Sequence, residues 1–284
     1  MLHQILAVSL LVLLAGCEST TQVTSGEEYL SRHGSMPPST AEKGLKEDGF
    51  QEKLRQAASV EPTLTFPARI GIARIGSEYE WSHSPRLTNI PTDEAAEWAE
   101  TAEKLGKSYG EFVPINPMIA GMFTDTADSV STTHNRYGYS SEALIKEIRL
   151  AAARQHLDAV LIYEVVTKHS RKDNLLTAGN VTILGGFLLP SKTVEAEGYA
   201  TAMLIDVMQA YPYGTVRSYA DDITAYASSW GWGDKYGEEI VAKISYTAVS
   251  RLAVETRTML EKLRKQLAEV QAKKQTKKIS SKKK

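Results

Sequence analysis

The chain predicts an α/β domain on the border of α+β: a mixed sheet of about five strands with helices packed on it, plus one long C-terminal helix. Three observations carry this. "DAVLIYEVV" is a continuous apolar run, the pattern of a central strand buried on both faces. "SSEALIKEIRLAAARQHL", directly before it, puts Leu144, Ile148, Ala151, Ala152 and Leu157 on one helical face, with Ser140 or Ser141 as cap. From Gly237 to about Ala272, apolar residues recur at Val241, Ile244, Ala248, Leu252, Leu260, Leu263, Leu267 and Val270, which makes one helix of about 50 Å.

Taken in order, Ile5 to Leu14 is apolar apart from Ser9. It is too short for the ~20 residues of a membrane-spanning helix and suits the core of a secretory signal, residues 1–16. Residues 17–62 are rich in Ser, Thr, Glu, Gly and Pro, with "GSMPPST" in the middle, and predict a flexible tether with room for a short helix over Gly49 to Ala58. The α/β domain, 63–233, opens on "FPARIGIARI", whose Ile70, Ile72 and Ile75 give a strand. "TDEAAEWAETAEKLGK" is a helix capped by Thr92 or Asp93, and the proline-broken "EFVPINPMI" is an edge strand. Residues 124–138 read as loop.

After the central strand, Asn174 to Ser191 runs uncharged, which predicts a buried helix or strand pair covering the sheet rather than a lipid-inserted hairpin. "EAEGYATAMLIDVM" and "YGTVRSYAD" are two strands turning at Tyr211-Pro212-Tyr213-Gly214. The long helix, 234–272, should pack on the sheet with its first half and project with its second. A disordered lysine-rich tail, 273–284, should follow.

The only cysteine follows the apolar run in Leu14-Ala15-Gly16-Cys17. This resembles the lipobox of bacterial lipoproteins, in which the cysteine is acylated, with palmitate among the chains expected, and becomes the new first residue. The opening Met1-Leu2-His3-Gln4 departs from such signals in carrying no Lys or Arg. The resemblance implies a membrane partner through Cys17 and a place in the cell envelope. Glu18 in the next position, rather than Asp, implies an outer-membrane anchor facing the periplasm if the cell has two membranes.

In order behind that lipobox, "FPARIGIARI", "LDAVLIYEVV", "DNLLTAGNVTILGGFLLPS" and "MLIDVMQAYPYGTV" resemble the rhombotarget or rhombotail lipoproteins. More distantly they resemble the α/β domain shared by the curli secretion lipoprotein and the amino-terminal domain of the Tol-system propeller protein. The resemblance spans roughly residues 65–222 and implies a non-enzymatic binding or assembly role in the envelope.

No catalytic signature stands out. Gly106-Lys107-Ser108 lacks the earlier glycine of a phosphate-binding loop, since Thr101 holds that place. His3, His33, His83, His134, His156 and His169 have no metal-ligand spacing, so no metal or cofactor is expected. The alternative is an envelope enzyme with a loop-built carboxylate site at Asp206, Asp221 and Asp222. Trp230, Trp232 and Tyr236, among glycines, are candidates for a protein or sugar partner. Seven of the 33 basic residues are Lys273, Lys274, Lys277, Lys278, Lys282, Lys283 and Lys284, which leaves the rest of the chain at a net of about −8. That tail suits an anionic lipid or cell-wall polymer, and outside the cytoplasm no nucleic acid is expected.

Overall fold

The computed structural model describes residues 18–33, 48–76, 85–122, 141–173, 192–226 and 233–282. Among the described residues, seven strands form one mixed sheet: β1 (Glu18–Thr21), β2 (Ala68–Gly76), β3 (Arg86–Thr88), β4 (Gly110–Pro114), β5 (Ala159–Asp173), β6 (Lys192–Asp206) and β7 (Pro212–Tyr226). Their order is β1-β7-β6-β5-β2-β3, with β4 also on the free side of β2. The helices are α1 (Gly26–His33), α2 (Asp48–Ala58), α3 (Thr92–Leu105), α4 (Pro117–Gly121), α5 (Ser141–Arg154) and α6 (Gly233–Lys282).

The strand–helix–strand portion is parallel: β2 pairs with β4 on one side and β5 on the other. Along β5, side chains alternate between two cores. Ala159, Leu161 and Tyr163 join Ile70 and Ile72 of β2 beneath α3 and α6. Val160 and Ile162 join Ala73, Ile148, Ala151 and Ala152 beneath α5. A strand sandwiched in this way needs apolar residues in succession, and that is the run seen in the sequence.

From β5 onward the sheet is an antiparallel meander of three 15-residue strands, each about 50 Å long. Its α6-facing side is built from small residues, Ala196, Gly198, Ala200 and Ala202, so the helix approaches closely. A Cβ on Gly198 would lie 2.7 Å from Ile244 Cγ2, and one on Gly214 would lie 2.8 Å from Met259 Sδ.

Several expectations need correction. The turn before β7 is Val207–Tyr211, four residues earlier than Tyr211–Gly214, because Asp206 caps it. The second part of "EFVPINPMI" is helix α4, since Asn116 Oδ1 accepts from the Met118 amide and Pro117 suits the first helical position. At α3 the capping position is Pro91, without a side-chain cap. Helix α6 packs far beyond its first half, with Thr256, Met259, Leu260, Leu263 and Leu267 all buried. It continues to Lys282, so Lys273, Lys274, Lys277, Lys278 and Lys282 lie on a helix where a disordered tail is expected. At 1.5 Å per residue its 50 residues span about 75 Å.

Candidate functional site

Where a tether is expected, the first described residues enter the sheet. β1 runs antiparallel to β7, with Glu18 opposite Arg217 and Thr21 opposite Gly214. The Thr20 and Thr215 hydroxyls hydrogen-bond at 2.8 Å, the Gln22 amide donates to Tyr213 O, and the Gln22 side chain donates to Pro212 O. The Tyr211 hydroxyl then donates to Thr24 O. The ladder gives this polar stretch partners for its backbone groups. Glu18, the first strand residue, is one peptide bond from Cys17, which itself lies outside the described residues.

A second clasp closes the far end of the same region. Asp206, 4% exposed, accepts from the Met208 and Gln209 amides through Oδ1, and from Thr63 Oγ1 (2.9 Å) and the Tyr213 hydroxyl (3.1 Å) through Oδ2. That hydroxyl accepts in turn from the Thr63 and Leu64 amides. Burial first, then the charge of Asp206, push the Tyr213 hydroxyl up to about 12, against the pull of the Leu64 amide. Burial would raise the Glu61 carboxyl, but the Glu27 amide and the Lys274 ammonium outweigh it and hold it below the usual range. Residues 18–27 and 60–62 are thus fastened to the domain, and the expected tether of 17–62 is corrected over those residues.

A third buried polar group lies under α3. Glu94 accepts from Arg74 Nε at 2.9 Å and from the Tyr163 hydroxyl at 2.7 Å, and Arg74 also donates to Thr88 Oγ1. Burial and the adjacent Glu94 charge raise the Tyr163 hydroxyl well above its ordinary value. The salt bridge ties β2, β3 and α3 together; every polar contact described points inward, to structure.

The three nominated carboxylates do not converge. Asp206 is committed to the clasp. Asp221 stands opposite Glu197, nine residues up β6 from Asp206 and so about 30 Å away. Asp222 is paired with Lys243 at 2.6 Å. A cleft of about 290 Å³ between β3, α4 and α5 is lined by Pro85, Arg86, Leu87, Pro117, Gly121, Leu144 and Glu147. Its one carboxyl, Glu147, is raised by burial. Among the described residues, no histidine, cysteine or second acid lines it.

Beside this cleft, Met118 of α4 and Met122 at its C-cap are 80% and 76% exposed, and Leu150 of α5 is 52% exposed. Arg149 holds the turn carrying exposed Met208 against α5 by donating to Val207 O and Met208 O. Sequence reasoning missed these methionines: Met118 and Met122 lie in an apolar run from Pro117 to Met122, whose composition does not tell an exposed face from a buried one.

Residues 1–17, 124–138, 174–191, Trp230, Trp232, Lys283 and Lys284 lie outside the described residues. Tyr236 falls in the first turn of α6, with its side chain outside them too. Among the described residues no helix is long and apolar enough to cross a membrane, and no group of three His, Cys, Asp or Glu could hold a metal ion.

The fold defines a three-layer α/β domain with helices on both faces of a mixed sheet. No protein-family model matches the chain, and no curated protein matches it. Solved structures show distant likenesses. One is the PelC dodecamer from Paraburkholderia phytofirmans, at 11% identity and TM-score 0.30, over 70% of this chain and 91% of that one. Lipoprotein GNA1162 from Neisseria meningitidis is 15% identical at TM-score 0.27, over 63% of this chain and 98% of that one. The hypothetical protein CT253 from Chlamydia trachomatis is 11% identical at TM-score 0.29, over 68% and 97%.

Proposed function

We propose that the chain is an envelope lipoprotein, acylated at Cys17 after removal of residues 1–16, whose α/β domain has a binding or assembly role. In a cell with two membranes it faces the periplasm from the outer membrane. The observation that carries this reading is the start of β1 one residue past the cysteine of Leu14-Ala15-Gly16-Cys17. An acylated first residue needs nothing more of the domain than a free end there, and all described contacts survive removal of the residues before Cys17. The separation of Asp206 from Asp221 and Asp222, and the commitment of Asp206 to structure, speak for binding over catalysis at those carboxylates. The exposed Met118, Met122, Leu150 and Met208 offer apolar area for an envelope protein partner.

The test is Cys17→Ser in the native envelope. The expected outcome is loss of acylation and of membrane fractionation, with an unchanged thermal melt for the released domain. A variant that stays in the membrane fraction after a carbonate wash would show that another segment anchors the chain.

A further inference from the structure

The register of β1 fixes where on the domain an anchored Cys17 emerges. Glu18 lies opposite Arg217, and β7 continues from there for nine residues to Tyr226, about 30 Å. The anchor therefore leaves from the flank of the sheet and not from its end. The part of the meander that extends past this level is charged: Lys168, Arg171, Lys172 and Asp173 on β5, Lys192, Glu195 and Glu197 on β6, Asp221 and Asp222 on β7. Strands of that composition stay out of hydrocarbon. A membrane holding the acyl chains must then lie along the β1/β7 edge, tangent to the strand direction.

Helix α6 follows that edge. It touches β7 at Asp222 through Lys243, at Ser218, whose hydroxyl donates to Ala248 O, and at Gly214 through Met259. Eight residues of β7 cover about 27 Å and the matching 16 residues of α6 about 24 Å, so the two run alongside each other in opposite directions. The helix also packs on β1. Arg251, which donates to Tyr219 O, marks the side of α6 turned to the edge. At 100° per residue, Lys262, Lys265 and Lys273 fall within about 40° of Arg251 around the axis, with Glu255 and Glu269 among them. Lys262, Lys265 and Lys273 are exposed.

We infer that this edge-facing side of α6, from Lys262 to Lys273, is a second membrane contact that takes the anionic headgroups of the same membrane that holds Cys17. The inference rests on the proposed acylation of Cys17. An acyl anchor combined with a basic surface is the two-signal arrangement that gives stable membrane attachment. The anchor holds the stripe at high local concentration over the surface, so individually weak contacts suffice.

The test uses the chain from Cys17 onward, coupled through its single cysteine to vesicles carrying a thiol-reactive lipid. One set is otherwise phosphatidylcholine, and the other contains about one third phosphatidylglycerol. Amide deuterium exchange over residues 262–282 is read by mass spectrometry. The expected result is at least about threefold slower exchange on the anionic vesicles. That protection should vanish at 0.5 M salt, where the screening length falls to about 4 Å, and in the Lys262→Gln, Lys265→Gln, Lys273→Gln variant, whose melt should match the parent. Equal exchange on both vesicles would overturn the inference, as would protection that survives high salt or the triple substitution. Capture of cell-wall sacculi through an unprotected α6 would overturn it in favour of a helix directed away from the membrane. The coupling is chemical, so this result is independent of acylation in the cell, which the Cys17→Ser fractionation decides separately.

Discussion

Replacing Asp206 by alanine separates a structural carboxylate from a catalytic one. The substitution removes the acceptor of four hydrogen bonds, at 2.7–3.1 Å, and leaves the donors in place. The Met208 and Gln209 amides lie at a surface turn beside an exposed Met208, so water replaces Asp206 there at little cost. The Tyr213 hydroxyl has no such recourse. Its ring is fully buried, and its oxygen already accepts from two amides, so its proton has nowhere else to go. A buried unsatisfied donor costs about 1–3 kcal/mol, and loss of the charged acceptor for Thr63 adds roughly 1 kcal/mol more. The expected loss is about 2–4 kcal/mol, a large part of the 5–15 kcal/mol typical of a domain. Asp206→Asn should fall between, because the amide oxygen can still cap the turn while its NH₂ group opposes the Tyr213 proton. Urea denaturation measures both, and an unchanged slope would show that the unfolded state is not the cause. An Asp206→Ala variant within about 0.5 kcal/mol of the parent would refute the clasp.

Two further outcomes follow from the same geometry. Leu161→Asp and Ile162→Asp should each unfold the domain, since one residue faces α6, the other faces α5, and a buried unpaired carboxylate costs several kcal/mol; a native-like melt for either would place that residue outside the core. Alkaline pH should also destabilise the fold. Tyr213 ionises near 10 when unfolded and is pushed up to about 12 when folded, so its contribution is complete below pH 10 and is lost as pH rises toward 12, by roughly 3 kcal/mol. Tyr211, raised to about 12 chiefly by burial, acts in the same direction. Urea midpoints measured between pH 9 and 12 should fall, and less steeply in Tyr213→Phe.

Local pattern alone determined the elements whose hydrogen bonds or apolar faces close within a short stretch of chain. The period of Leu144, Ile148, Ala151 and Ala152 specifies α5, and four successive apolar residues, Val160 to Tyr163, specify a strand with two covered faces. The lipobox resemblance is likewise legible, because it rests on four adjacent residues, Leu14-Ala15-Gly16-Cys17. Only the tertiary structure decided what the polar stretch after Cys17 does. Glu18-Ser19-Thr20-Thr21 has no apolar periodicity, and it is a strand because β7, some 195 residues away, offers a ladder to pair with. Asp206 reads in sequence as a free carboxylate near a turn; its four donors come from residues 63, 208, 209 and 213, and the Thr63 partner lies 143 positions distant. The second half of α6 reads as projecting because its charges are dense, yet Met259, Leu263 and Leu267 are buried. A helix needs only a narrow apolar stripe to pack, and which sheet edge that stripe meets is set by strand pairing that no local window contains.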